Sequence, residues 1–100
     1  MEYRYVLKEG VLTLKDYKKG LEVVSYEGED IYLTVPEKIP VEAGEGREDS
    51  LEKPVISIGK KAMLSRKSLR RVILPETIEE VGDWAFAYCD ALREVVLPEK

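Results

Sequence analysis

The stretches SLRRVILPE (68–76) and ALREVVLPE (91–99) are near-copies placed 23 residues apart. At that offset Ile58-Gly59 falls on Val81-Gly82, Ala62-Met63 on Ala85-Phe86, and Leu69 on Leu92. Val72, Leu74, Pro75 and Glu76 then fall on Val95, Leu97, Pro98 and Glu99. A repeat of this length describes a unit that cannot bury its apolar face alone, so neighbouring units must stack. The matching positions are mostly apolar, glycine or proline, the types that set a backbone path and a core. Each unit reads as a short strand with apolar residues at i, i+3 and i+5. Proline closes it, because its missing N–H cannot continue a ladder. Gly59 and Gly82 are expected to allow a tight bend. The pieces AMLSRKS (62–68) and AFAYCDA (85–91) are expected to be short helical segments, with Ala85, Phe86 and Cys89 facing inward.

A weaker third register lies upstream. Leu33, Val35 and Pro36 match Val72, Leu74 and Pro75, and Ile39 matches Ile78. Pro36 and Pro75 are 39 residues apart, 16 more than one period, and the excess falls in PVEAGEGREDSLEKP. Two prolines, two glycines and five acids give that segment loop composition, so 40–54 is expected to be an acidic insertion loop. Before it, the β-rich runs EYRYVL, VLTL, LEVVSY and IYLTV are separated by KEG, KDYKKG and EGED, which are hairpin signals. The expected fold is an α/β repeat solenoid, β-dominated with short helical segments and capped by an N-terminal antiparallel β-meander. Residues 1–100 form a single domain in this reading. The meander and first repeat strand occupy 1–35, and the two clear repeats occupy 55–77 and 78–100.

The stretch SIGKKAMLSRKSLRRVILPETIEEVGDWAFAYCDALREVVLPE resembles the BspA-like class of leucine-rich repeats, whose unit runs roughly IG-x-x-AF-x-x-C-x-x-L-x-x-V-x-[IL]-P. The second copy matches it at Val81, Gly82, Ala85, Phe86, Cys89, Leu92, Val95, Leu97 and Pro98. The first copy departs from it, with Met63 for the aromatic and Arg66 for the cysteine. SYEGEDIYLTVPEKI, followed after an interruption by PVISIG, is similar to the lead-in that often precedes the first repeat of that family. The resemblance covers residues 54–100 clearly and 20–100 loosely. It implies a bacterial, often surface-associated protein that acts by protein binding or adhesion, with no shared catalytic residues to carry over.

Composition narrows the chemistry in the same direction. The chain contains no histidine, which removes the commonest general base and every His-based triad or zinc signature. No enzymatic activity and no cofactor or metal are expected. Cys89, the single cysteine, cannot form an intrachain disulfide and reads as a buried thiol. A net charge of −4 and a pI near 5.0 argue against nucleic acid or an anionic membrane as partner. No apolar run approaches the roughly 20 residues of a membrane helix, so no membrane insertion is expected. The N-terminus lacks the layout of a secretory signal. Location is therefore cytoplasmic if Met1 is the native start, and cell surface or secreted if the chain is an excised domain.

Several clusters have a structural explanation. Lys60, Lys61, Arg66, Lys67, Arg70 and Arg71 form a basic run with no acid between Pro54 and Pro75. One period on, Lys60 should face Asp83, Lys67 should face Asp90 and Arg71 should face Glu94, which makes much of the run a set of coil-to-coil ion pairs. The acids Glu42, Glu45, Glu48, Asp49 and Glu52 lack calcium-loop spacing. Gly44-Glu45-Gly46 carries no nucleotide signal. Trp84 and Tyr88 take the places of Lys61 and Ser65, and are either exposed outer-face aromatics or a cover for the coil end.

Strand alternation sends two columns away from the core: Thr34, Ile73 and Val96 in one, Tyr32, Arg71 and Glu94 beside it. An apolar column flanked by Tyr and Arg suits a protein-binding face, and a quiet solvent-facing sheet is the alternative. The strand around Val95, Val96 and Leu97 should present an unpaired edge, a template for another chain. The functional expectation is a non-catalytic protein-interaction module with an unidentified protein partner. The rival is a structural, self-associating fragment of a longer repeat protein, forming a homo-oligomer through the C-terminal coil.

Overall fold

The computed structural model describes residues 2–41 and 51–97. The N-terminal third alternates in the way a sheet with one buried face requires. In β2 (Gly10–Tyr17) Leu12 and Leu14 are buried, and in β3 (Gly20–Gly28) Leu21, Val23 and Tyr26 are buried. With β1 (Glu2–Val6) these strands form the expected antiparallel meander. The chain then enters β4 (Tyr32–Thr34), β5 (Lys38–Val41), β6 (Leu51–Ile58), β7 (Arg71–Ile73), β8 (Glu80–Val81) and β9 (Glu94–Val96).

Two sheets result. The larger runs β1-β2-β3-β6-β5, with β8 also pairing β6, and the smaller runs β4-β7-β9. After the meander pairing turns parallel, at β3 with β6 and at β6 with β8. Every pair of the smaller sheet is parallel. The 23-residue period appears directly as register: Ile58 pairs Val81, Val72 pairs Val95, and Ile73 pairs Val96. Leu33 pairs Val72, as the weaker upstream match requires. One core cluster unites Leu12, Leu21, Val23, Val55 and Ile58 with Leu33, Leu69, Val72 and Leu74 of the coils.

The expected helical segments do not form, and the described residues contain no helix. AMLSRKS and AFAYCDA lie in turns whose backbone enters the left-handed region at Lys61 (φ 60°), Ser65 (60°), Trp84 (64°) and Tyr88 (59°). A non-glycine residue in that region costs about 1–2 kcal/mol and cannot continue a right-handed helix. Lys61 and Trp84 are one period apart, as are Ser65 and Tyr88, so the bends belong to the repeat. They also turn alternate amides outward along the stack. Lys61 N donates to Asp83 O (3.1 Å), Met63 N to Ala85 O (2.8 Å), and Ser65 N to Ala87 O (2.8 Å). Tyr26 N donates to Ala62 O in the same way (3.1 Å), which joins the meander to the first coil. In the first turn coil-to-coil bonds therefore replace the i→i−4 bonds of a helix.

Two further differences follow from packing. Gly82 is needed for space. A Cβ there would sit 2.5 Å from Lys60 N and 2.8 Å from Gly59 C, in the backbone of the preceding coil. Within 40–54, Pro40–Val41 and Leu51–Pro54 are strand residues of an antiparallel β5–β6 hairpin rather than loop. Pro40 is tolerated because β5 is an edge strand, and Pro54 precedes Val55, where pairing with β3 begins. Glu42, Glu45, Glu48 and Asp49 lie outside the described residues. Glu52 pairs with Lys38 at 3.3 Å.

Because Gly82 sits where two coils touch through backbone, Gly82→Ala should destabilise the fold by about 1–3 kcal/mol, the range typical of overpacking. Urea unfolding followed by circular dichroism measures this. A variant as stable as the parent would show that the coils do not need that close approach.

Candidate functional site

The smaller sheet carries the candidate face. Across β4, β7 and β9 the registers are Tyr32–Arg71–Glu94, Leu33–Val72–Val95 and Thr34–Ile73–Val96. The middle column points inward, with Leu33 and Val72 buried and Val95 packed against the core. The outer columns therefore bring all six sequence-predicted face residues onto one surface, with neighbouring strands about 4.8 Å apart. Tyr32 is 71% exposed, Thr34, Arg71 and Glu94 are exposed, and Ile73 and Val96 are half-buried. Arg71 Nε meets Glu94 Oε1 at 3.0 Å, the ion pair expected from the period.

A buried polar knot holds this face in place at its entry. The Tyr26 hydroxyl donates to Asp30 Oδ2 (2.7 Å) and accepts from Asp30 N (2.7 Å). Glu9 N donates to Asp30 Oδ1 (3.0 Å), and Ser68 Oγ donates to the Asp30 carbonyl (3.2 Å). Burial, with the Asp30 carboxylate beside it, pushes the Tyr26 phenol up to about 12. With its polar groups bonded, Asp30 can sit buried and fix where Ile31 and Tyr32 leave the core. At the other end of the meander, Tyr17 donates to Glu80 Oε1 (2.8 Å) and Lys18 Nζ lies 2.6 Å from Glu80 Oε2, tying the β2–β3 turn to β8. The Lys18 ammonium, then the Tyr17 hydroxyl, hold the Glu80 carboxyl below the usual carboxylate range.

A third column stands just before the strands. Ile31 O accepts from Arg70 N (2.8 Å) and Arg71 N (3.2 Å), and Arg70 O accepts from Arg93 N (2.8 Å) and Glu94 N (3.2 Å). Arg70 and Arg93 thus occupy equivalent corners of adjacent coils, and both are exposed. With Tyr32, Arg71 and Glu94 they line a shallow cleft of about 310 Å³. Sequence reasoning left this arginine pair out of the face because it sought opposite charges across the period. The signal was present: Arg70 and Arg93 are themselves 23 residues apart.

The remaining positions divide. Lys67 Nζ meets Asp90 Oδ2 at 2.7 Å and the Tyr88 carbonyl at 3.0 Å, as expected, whereas no ion pair joins Lys60 to Asp83 among the described residues. Cys89 is buried, and its thiol donates to Met63 O at 2.9 Å. Trp84 (57% exposed) and Tyr88 (61% exposed) project from the left-handed turn positions with ring centroids 6.3 Å apart. β9 pairs β7 alone among the described residues, so Val95 and Val96 lie on a sheet edge, and Leu97, just beyond the strand, is 62% exposed. Among the described residues no group of three or more Cys, Asp or Glu is placed to hold a metal ion.

Solved structures share this architecture. A leucine-rich repeat protein from Bacteroides capillosus superposes with a TM-score of 0.72 at 23% identity, over 95% of this chain and 65% of its own. The T. pallidum leucine-rich repeat protein gives 0.70 at 27% identity, over 96% of this chain and 40% of its own. A leucine-rich cell surface protein from Faecalibacterium prausnitzii gives 0.68 at 23% identity, over 93% and 23%. No protein-family model and no curated protein matches the chain. The chain has the leucine-rich repeat fold, as its resemblance to the BspA-like repeats implies. It spans less than two thirds of the length of each of these structures.

Proposed function

We propose that this chain is a non-catalytic protein-interaction module that docks a protein partner on the outward face of β4-β7-β9. The face consists of Tyr32, Thr34, Arg71, Ile73, Glu94 and Val96. The supporting observation is the parallel register that stacks these six side chains into two adjacent columns. A half-buried apolar column beside an exposed tyrosine and a charged pair matches the make-up of protein-binding surfaces. The leucine-rich repeat fold of the bacterial neighbours agrees with a binding role. In this account residues 1–35 are the β-meander cap and the first repeat strand, and 55–77 and 78–100 are the units that repeat the face.

Peptide display against the folded chain tests the reading. Selected binders should lose at least about tenfold in affinity for Arg71→Ala/Ile73→Ser/Glu94→Ala/Val96→Ser, as expected when central contacts of an interface are removed. Binders held equally well by that folded variant would place docking elsewhere.

A second reading, self-association through the last coil, is supported by a different observation. Phe86, Leu92 and Val95 are only partly buried, whereas their counterparts one period earlier, Met63, Leu69 and Val72, are fully buried. A further layer of backbone and side chains would complete their burial and pair the edge at Val95, Val96 and Leu97. Sedimentation velocity over about a hundredfold range of concentration should then show a monomer–dimer shift, which Val96→Lys reduces by placing a charge at the edge. A single monomeric species throughout would contradict this second reading.

A further inference from the structure

We propose that the cleft between Tyr32, Arg70 and Arg93 is a carboxylate-binding subsite, and that the partner docked on this face presents an acidic segment to it. The inference rests on the reading of β4-β7-β9 as a docking face and adds the chemistry of the occupant.

The chain carries a net charge of −4, yet this cleft collects three arginines and one acid. Arg71 and Glu94 satisfy each other at 3.0 Å, which leaves Arg70 and Arg93. Neither has an ion-pair partner among the described residues. The two are held on adjacent coils by the Arg93 N to Arg70 O bond, and like charges facing one another on neighbouring strands are destabilising. Packing does not demand this arrangement. Both side chains are exposed, and at the same 23-residue offset the fold accepts acids opposite bases at Lys67–Asp90 and Arg71–Glu94.

A ligand with clustered carboxylates would relieve that repulsion. Two guanidinium forks carried on adjacent coils can each bind a carboxylate bidentately, a geometry that lysine does not offer. Tyr32, 71% exposed at the cleft wall, supplies apolar surface beside the charges. Beyond Tyr32 the surface reverses sign. Glu9 and Glu29, with Lys8, line an adjoining cleft of about 490 Å³ and would repel the same acidic residues. The acidic part of the partner is thereby confined to the arginine side, which orients it on the face. Two uncompensated positive charges are too few for the phosphate track that nucleic-acid binding requires.

The test is fluorescence anisotropy of a fluorescein-labelled hexaglutamate peptide titrated with the full chain at low salt. Arg70→Gln/Arg93→Gln should weaken binding by about tenfold or more, whereas Lys19→Gln/Lys60→Gln, with the same charge change elsewhere, should alter it less than about twofold. Arg70→Lys/Arg93→Lys keeps charge and fold and should still lose several-fold, because the forks are gone. The inference is overturned if the parent chain does not bind the peptide, if both glutamine pairs weaken binding equally, or if the lysine pair binds like the parent. It is also overturned if a single-stranded oligothymidylate binds more tightly with the same arginine dependence, which would make the ligand a nucleic acid. Display binders that depend on the face but lack acidic residues would sink this inference and leave the docking face standing.

Discussion

Backbone amides and carbonyls of adjacent coils bond to one another, in both directions along the stack, and this one pattern sets the rest of the molecule. Lys61, Met63 and Ser65 donate to Asp83, Ala85 and Ala87, while Arg93 and Glu94 donate to Arg70. Such bonds hold the offset at one period, because a slip by one residue would turn Val72 and Val95 out of the core. They accompany left-handed backbone at Lys61 and Ser65, which recurs one period later at Trp84 and Tyr88, at an energetic cost that buried coil contacts must offset. In the first turn the absence of helix has the same origin, since the amides of Lys61, Met63 and Ser65 are committed between coils.

Fixed register turns surface chemistry into columns. Whatever occupies one position of the repeat stands beside its counterpart, so the chain can stack opposite charges, apolar residues or like charges by choice of side chain alone. Arg71 with Glu94 and Lys67 with Asp90 take the first option, and Ile73 with Val96 takes the second. Arg70 with Arg93 takes the third, and a ligand of opposite charge would relieve it.

Much of the frame was legible in the residues. The spacing of Leu69, Val72, Leu74 and Pro75 against Leu92, Val95 and Leu97 encodes the parallel ladder, and the face columns followed from strand alternation. The turns were not legible, because lysine, serine, tryptophan and tyrosine occupy left-handed positions where glycine or asparagine would have announced them. Ala85, Phe86 and Cys89 share the spacing of a helix face, so their inward direction was anticipated although the helix is missing. The β5–β6 hairpin was hidden by composition, since prolines and acids read as loop while Pro40 lies on an edge and Pro54 lies before the ladder with β3. The arginine pair was missed because ion-pair logic looks only for opposite charges.

Amide hydrogen exchange resolved by residue tests the coil-stacking account most directly. Lys61, Met63 and Ser65 donate across to the next coil, whereas Trp84, Phe86 and Tyr88, one period later, have no backbone acceptor among the described residues. The account predicts strong protection at the first three and much faster exchange at the second three. Equal protection in the two sets would contradict it, because the amides of both turns would then be bonded within their own segment, as in the helices that the structure replaces with coil-to-coil bonds.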